Sequence, residues 1–226
     1  MTLPYFLSFV VSPVVIVLLV AYLRFKFSIK NMKNIQMAVI LGIVAVALLM
    51  ITNYLAELRW HGNYNNMRRM AFFVFIVTAF SSELAKFLIL KARFYSLKTF
   101  TGPLEGIIYS VFINLGFALV AVILYAFDLL GLPDKIHNSL LFLYAYPFAS
   151  IIFGICMGFF VGMGKMRRNG FIDNSTGLFV STFFHGLFYF GFITSDIRLL
   201  IFTAIGFIVI GVTLLVKSVS KQLERK

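Results

Sequence analysis

Charge is scarce in this 226-residue chain, and acidic charge scarcest of all. Asp, Glu, Lys and Arg make up 12% of the residues, with 8 acidic against 20 basic side chains. A soluble domain carries about 25% charged and 45–50% apolar residues. Here the hydrophobic fraction is 61% and the mean hydropathy +0.98. A soluble globule cannot hide that much apolar side chain, and a disordered chain would be far more polar. The lone cysteine, Cys156, excludes a disulfide framework and a multi-cysteine zinc site. Five prolines leave no room for a proline-rich linker. No long polar segment interrupts the apolar runs, so a single membrane-embedded domain over residues 1–226 is expected, with no internal repeat. No phosphate-binding glycine loop, HExxH, GxSxG or Cys/His zinc spacing is present.

What is present is a series of apolar runs. A span needs roughly 20 mostly apolar residues. Seven runs qualify, at about residues 3–23, 37–56, 70–90, 104–129, 140–163, 177–193 and 199–216. The fold class expected is all-α, a polytopic bundle of about seven transmembrane helices. The start, Met1-Thr2-Leu3-Pro4-Tyr5, lacks a positive n-region, and no small-residue cleavage site precedes Arg24. The first run therefore reads as a retained span.

The net charge of +12 would suggest nucleic acid in a soluble chain, but here it sorts by loop. Arg24, Lys26, Lys30 and Lys33 follow the first run, and Lys91, Arg93 and Lys98 the third. Lys165, Arg167, Arg168 and Asp173 follow the fifth, and Lys217, Lys221, Glu224, Arg225 and Lys226 close the chain. These segments together carry +12, and the alternate ones only +1. The asymmetry predicts an outside N-terminus and a cytoplasmic C-terminus. Membrane lipids are then the expected partners, and nucleic acid is not. Lys165-Met166-Arg167-Arg168 could bind anionic lipid, although a topology signal accounts for it.

Three charges remain. Glu83 and Lys86 lie inside the third run, and Glu105 opens the fourth. An intramembrane charge costs roughly 2.5–3.5 kcal/mol on insertion scales, so it faces the bundle and takes a partner. Their i, i+3 spacing puts Glu83 and Lys86 on one helix face. Glu83 sits roughly 10 Å from the cytoplasmic end by helical rise. His185, Asn114 and Ser150 reach comparable depths in their own runs. Glu83 and His185 can therefore meet as an acid–base pair able to activate water. Each residue also has a structural reading. Glu83 and Lys86 can be an intrahelical ion pair, and His185, Asn114 and Ser150 can be helix–helix hydrogen bonders. Glu105 can be a first-turn carboxylate favoured by the helix dipole. Arg59, Trp60 and His61 read as an interfacial anchor. Gly154, Gly158 and Gly162, four apart, predict a close helix approach.

Four segments, in order, carry a resemblance. Ser81-Ser82-Glu83-Leu84-Ala85-Lys86-Phe87 resembles the EExxK helix of the PrsW family of intramembrane proteases. Gly102-Pro103-Leu104-Glu105-Gly106, leading into Leu115-Gly116-Phe117-Ala118, resembles that family's next helix. Ser150 to Gly158 resembles a helix that begins with His and reaches Gly eight residues on. Phe184-His185-Gly186-Leu187-Phe188-Tyr189 resembles the final HGLYD or HxxxN helix. The resemblance covers about residues 70–193, leaving the first, second and seventh spans peripheral. It implies a membrane-embedded protease that cleaves other membrane proteins. Carried over by position, Glu83, Lys86 and His185 are the catalytic candidates. Glu105, Asn114, Ser82 and Ser150 are the supporting polar cluster.

Departures from the family pattern are heavy. Ser82 stands at the first glutamate, Ala121 and Val122 at a Glu-Asn pair, Ser150 at the earlier histidine, and Tyr189 at an Asp or Asn. A metal–water site wants at least three protein ligands, and Glu83 with His185 supplies two, so no cofactor is expected and a divalent metal such as zinc would be under-liganded. The expectation is a catalytically impaired homologue that binds a membrane-protein partner. The alternatives are an active divergent endopeptidase using Glu83 and His185 on single-span substrates, and a small transporter or proton relay. A bacterial cytoplasmic membrane is the expected location.

Overall fold

The computed structural model describes residues 3–27, 32–61, 66–130, 136, 139–167, 170–194 and 196–223. Those residues form seven long helices: α1 (Leu3–Phe27), α2 (Met32–Trp60), α3 (Met67–Phe94), α4 (Pro103–Ala126), α5 (Ser139–Met166), α6 (Gly170–Thr194) and α7 (Ile197–Leu223). All seven are long and apolar enough to cross a membrane. No strand occurs among the described residues. The loop and tail charges at Lys30, Asp134, Lys135, Arg168, Glu224, Arg225 and Lys226 lie outside them.

The helices differ from the apolar runs mainly at their ends, for local reasons. α6 starts seven residues before the predicted 177, because Asp173 in its first turn is held by Arg167 at 3.1 Å. An acid in the first turn also meets the positive end of the helix dipole. α4 stops at Ala126, short of the predicted 129. Asp128 adopts φ 57°, and the Leu129 and Asp128 amides turn back to the Leu124 and Tyr125 carbonyls. That is a Schellman closure with Asp128 in the left-handed position. Pro103 opens α4 after extended Gly102, where a missing N–H costs nothing.

α3 is continuous but not uniformly α-helical. Phe73–Phe80 and Leu90–Phe94 are π-helical and flank an α-helical stretch, Ser81–Ile89, that carries Glu83 and Lys86. Apolar spacing gives no sign of this. The Ser81 amide reaches five residues back to the Ile76 carbonyl. The Val77 carbonyl receives the hydroxyls of Ser81 and of Thr52 from α2. Ser82 likewise donates to the Thr78 carbonyl at 2.5 Å. Such back-bonding is how Ser and Thr occupy the interior of a helix. π turns inside α-helices concentrate at functional sites.

α4 is the most buried helix, packed between α2 and α5, with α6 against the far side of α5. α1 and α7 cover the bundle and are the most exposed. Two seams bring backbones together. At Gly42 and Gly116, α2 and α4 approach so closely that a Cβ on either glycine would strike the other helix's backbone. On α5, Gly158 faces Gly106, Gly162 lies 2.5 Å (from its hypothetical Cβ) from the Gly102 carbonyl, and Gly154 packs on Val111. The four-residue glycine spacing therefore does bring a neighbouring helix, α4, into close approach.

A methyl group at Gly158 has only rigid backbone to push against. Gly158→Ala is expected to cost about 1–3 kcal/mol of stability, as overpacking does, read as a lowered unfolding midpoint in detergent. Gly206→Ala, on the outer helix with nothing outside its own helix backbone within 4 Å of the new methyl, should leave the midpoint unchanged or raise it.

Candidate functional site

Glu83 is the centre of a polar cluster at 0% exposure, with Lys86 at 1% and His185 at 0%. The i, i+3 spacing of Glu83 and Lys86 closes an ion pair through Glu83 Oε1. The same oxygen receives His185 Nδ1 from α6 at 2.8 Å. Glu83 Oε2 receives the Ser181 hydroxyl at 2.6 Å. Both oxygens of the carboxylate are thus engaged, by donors from two helices.

Each donor is itself anchored. Lys86 Nζ also donates to Asn114 Oδ1 at 2.7 Å, and lies 4.7 Å above the Phe117 ring centroid. Asn114 Nδ2 holds the Ser110 carbonyl of α4 at 2.9 Å. His185 stacks on Phe153 of α5, with centroids 4.8 Å apart and planes within 14°. Facing a carboxylate, Nδ1 carries the ring proton, and Nε2 is left to accept from the Tyr146 hydroxyl at 3.4 Å. A carboxylate orienting an imidazole whose other nitrogen carries a lone pair is the geometry of a general base, and here that lone pair faces Tyr146. The ammonium on the same carboxylate oxygen works against that role, because it draws the negative charge away from the ring.

The structure brings Glu83, Lys86, His185 and Asn114 into one cluster. It does not bring Glu105 there. Glu105 lies nine residues below Asn114 on α4, about 14 Å along the axis, and takes Gln222 of α7 at 3.3 Å. Ser82 is buried but spends its hydroxyl on its own helix. Ser150 is buried, with no hydrogen-bond partner among the described residues. Three contributors were missed from sequence: Ser181, Tyr146 and Phe153. Ser181 had a signal, since it precedes His185 by one helical turn. Tyr146 and Phe153 had none, since 28 phenylalanines and 10 tyrosines give no ranking.

Clefts open elsewhere on the surface of the described residues. One, of about 650 Å³, lies between α5, α6 and α7, and another, of about 290 Å³, between α1, α4, α5 and α7. Both are lined almost wholly by apolar side chains, and neither includes Glu83, Lys86 or His185.

Fold and site together define a polytopic helical membrane protein built around a buried carboxylate, imidazole and ammonium. The model of the PrsW family of intramembrane metalloproteases matches residues 30–216, and the chain belongs to that family. Protease PrsW of Clostridioides difficile (strain 630) is 30% identical over 129 residues, which is 56% of this chain and 51% of that protein. The chain thus spans about half the length of that relative. No solved structure matches it.

The family description implies a metal, and the donor set does not fit one. Among the described residues no third His, Cys, Asp or Glu joins Glu83 and His185. The other neighbours are hydroxyls, an amide and a cation. A catalytic zinc takes three protein ligands besides its water. Lys86 places positive charge on the very oxygen that faces His185.

Removing one partner of a buried pair leaves an uncompensated charge, at a cost of about 3–5 kcal/mol. Lys86→Met is expected to lower stability by that order. Adding Glu83→Gln should recover much of the loss, because a neutral amide no longer demands a cation. Unfolding of both single variants and the double variant checks the coupling. Strictly additive losses would show that the two residues do not depend on one another.

Proposed function

We propose that this PrsW-family protein is a catalytically impaired homologue, which keeps the family's fold and binds a membrane-protein partner without cutting it efficiently. The carrying observation is the state of the Glu83 carboxylate. Lys86, His185 and Ser181 occupy it, and the centre is shut off from the surface. To act as a base the carboxylate has to compete for its proton with three donors that already stabilise its charge. The residues at the family's other acidic and histidine positions support the same reading. Ser82 and Ala121 carry no carboxylate, Ser150 cannot act as an imidazole, and Tyr189 replaces an Asp or Asn. Losing such groups commonly costs orders of magnitude in rate, although the losses are not additive.

One observation favours a second reading. Glu83 and His185 lie at 2.8 Å, within the reach that an acid–base dyad requires. In that reading the chain is an active, metal-independent endopeptidase in which Glu83 orients His185 and Nε2 takes the proton of water. The charge asymmetry of the loops supports an outside N-terminus and a cytoplasmic C-terminus. The bacterial relative supports a bacterial cytoplasmic membrane as the location.

The test is the wild-type chain in liposomes with a single-span reporter, beside Glu83→Gln and His185→Ala. Impairment predicts no cleavage above that of either variant. It also predicts that Glu83→Gln retains whatever membrane protein co-purifies with the wild type. Wild-type cleavage that both substitutions abolish would overturn the impaired reading and establish the second one.

A further inference from the structure

The end of the bundle where α3 and α5 finish carries a feature that the buried centre does not use. Lys91 lies in the last turn of α3 and Lys165 in the last turn of α5. Both ammonium groups converge on the ring of Tyr95. Lys91 Nζ is 3.3 Å and Lys165 Nζ 4.6 Å from its centroid. Laid end to end, those distances put the two cations no more than about 8 Å apart. Tyr95 is fixed in place, since its hydroxyl donates to the Gly164 carbonyl at 3.2 Å and Lys165 donates to its own carbonyl at 2.9 Å.

Two ammonium groups at this separation repel, and the Debye length of about 8 Å at physiological ionic strength does not remove the repulsion. Among the described residues neither lysine is paired with a carboxylate. Asp173 is nearby in sequence but is taken by Arg167. Arg93 and Lys98 add exposed positive charge to the same segment. The helix C-termini and the ring face supply only partial negative charge. The arrangement holds two positive charges around one aromatic platform and, among the described residues, no carboxylate paired with either.

The surroundings say what kind of anion fits. Leu88, one turn before Lys91 on the same helix face, is 53% exposed, and Phe171 at the start of α6 is 82% exposed. The α6 start packs beside Tyr95, since a Cβ at Gly170 would lie 3.7 Å from its hydroxyl. Cations at a helix end, a tyrosine at the same level and apolar side chains just below make a headgroup above an acyl-chain lane. A zwitterionic headgroup would bring a further cation into a cluster that is already positive.

We propose that Lys91 and Lys165, converging on Tyr95, form a binding site for the phosphate of an acidic phospholipid headgroup. The phosphate bridges the two ammonium groups, and the acyl chains run down past Leu88. The site does not depend on whether the buried centre hydrolyses anything.

Native mass spectrometry of the full chain, with dioleoylphosphatidylglycerol against dioleoylphosphatidylcholine, tests this. Two lysines at an anionic surface predict a preference of about thirtyfold for the acidic lipid. Lys91→Gln with Lys165→Gln should bring retention of the acidic lipid down to that of the zwitterionic one. Lys91→Arg with Lys165→Arg should keep the preference, and Lys217→Gln, an exposed cation on α7, should not change it. Excess inorganic phosphate should fail to displace the lipid. A preference that survives the double Gln variant, in protein with an unchanged unfolding midpoint, overturns the site. So does equal retention of the two lipids. Displacement by inorganic phosphate overturns the lipid assignment in favour of a free-anion site.

Discussion

A carboxylate with no exposure, inside a bundle of apolar helices, has to be met by donors, and three helices meet it here directly or through one intermediary. α3 supplies the Lys86 ammonium, α6 supplies His185 and Ser181, and α4 anchors the lysine through Asn114. α5 completes the enclosure with Phe153 stacked on the imidazole and Tyr146 at its far nitrogen. Such a network needs helices that approach closely and in one register. The glycine contacts between α4 and α5, and between α2 and α4, provide the approach. The π turns of α3 bracket the segment that carries Glu83 and Lys86. Any of these helices could shift along an apolar interface at little cost, but not once the polar contacts are made. A buried ion pair is weak evidence of stability.

The same contacts bear on chemistry. In an aqueous active site a carboxylate holds an imidazole and leaves room for water. Here the geometry between Glu83 and His185 is suitable, but the carboxylate also serves Lys86 on the same oxygen and Ser181 on the other. The proposed impairment rests on those three donors and the burial of the centre more than on any single missing residue. Among the described residues no second carboxylate lies at the centre, so one ammonium, Lys86, is enough to balance the charge of Glu83.

The broad fold was legible because apolar run length alone decides how many helices can cross a bilayer. The meeting of Glu83, Lys86 and His185 was legible because intramembrane charges have few places to go, and their depths could be counted from the helix ends. The glycine spacing on α5 foretold a tight seam. Other features were hidden for physical reasons. Helix ends depend on single interactions, such as Arg167 with Asp173 or the left-handed turn at Asp128, that a hydropathy window averages away. Glu105 has the same charge as Glu83 but belongs to the α4 start, and only its distance along the helix separates the two. Ser181 and Tyr146 are ordinary residues that gain a role from the helix opposite. The convergence of Lys91 and Lys165 joins two loops far apart in sequence, whose charges read individually as topology signals.

The central claim is that the Glu83 carboxylate is closed, with both oxygens engaged by donors and no exposed surface. A hydrophobic carbodiimide enters the bilayer and modifies carboxyl groups that it can reach, and peptide mass spectrometry locates the adducts. Glu105, partly exposed at the start of α4, is the internal reference. The account predicts modification of Glu105 while Glu83 stays unmodified in the wild type and becomes reactive in Lys86→Met. Modification of wild-type Glu83 as fast as that of Glu105 would contradict it.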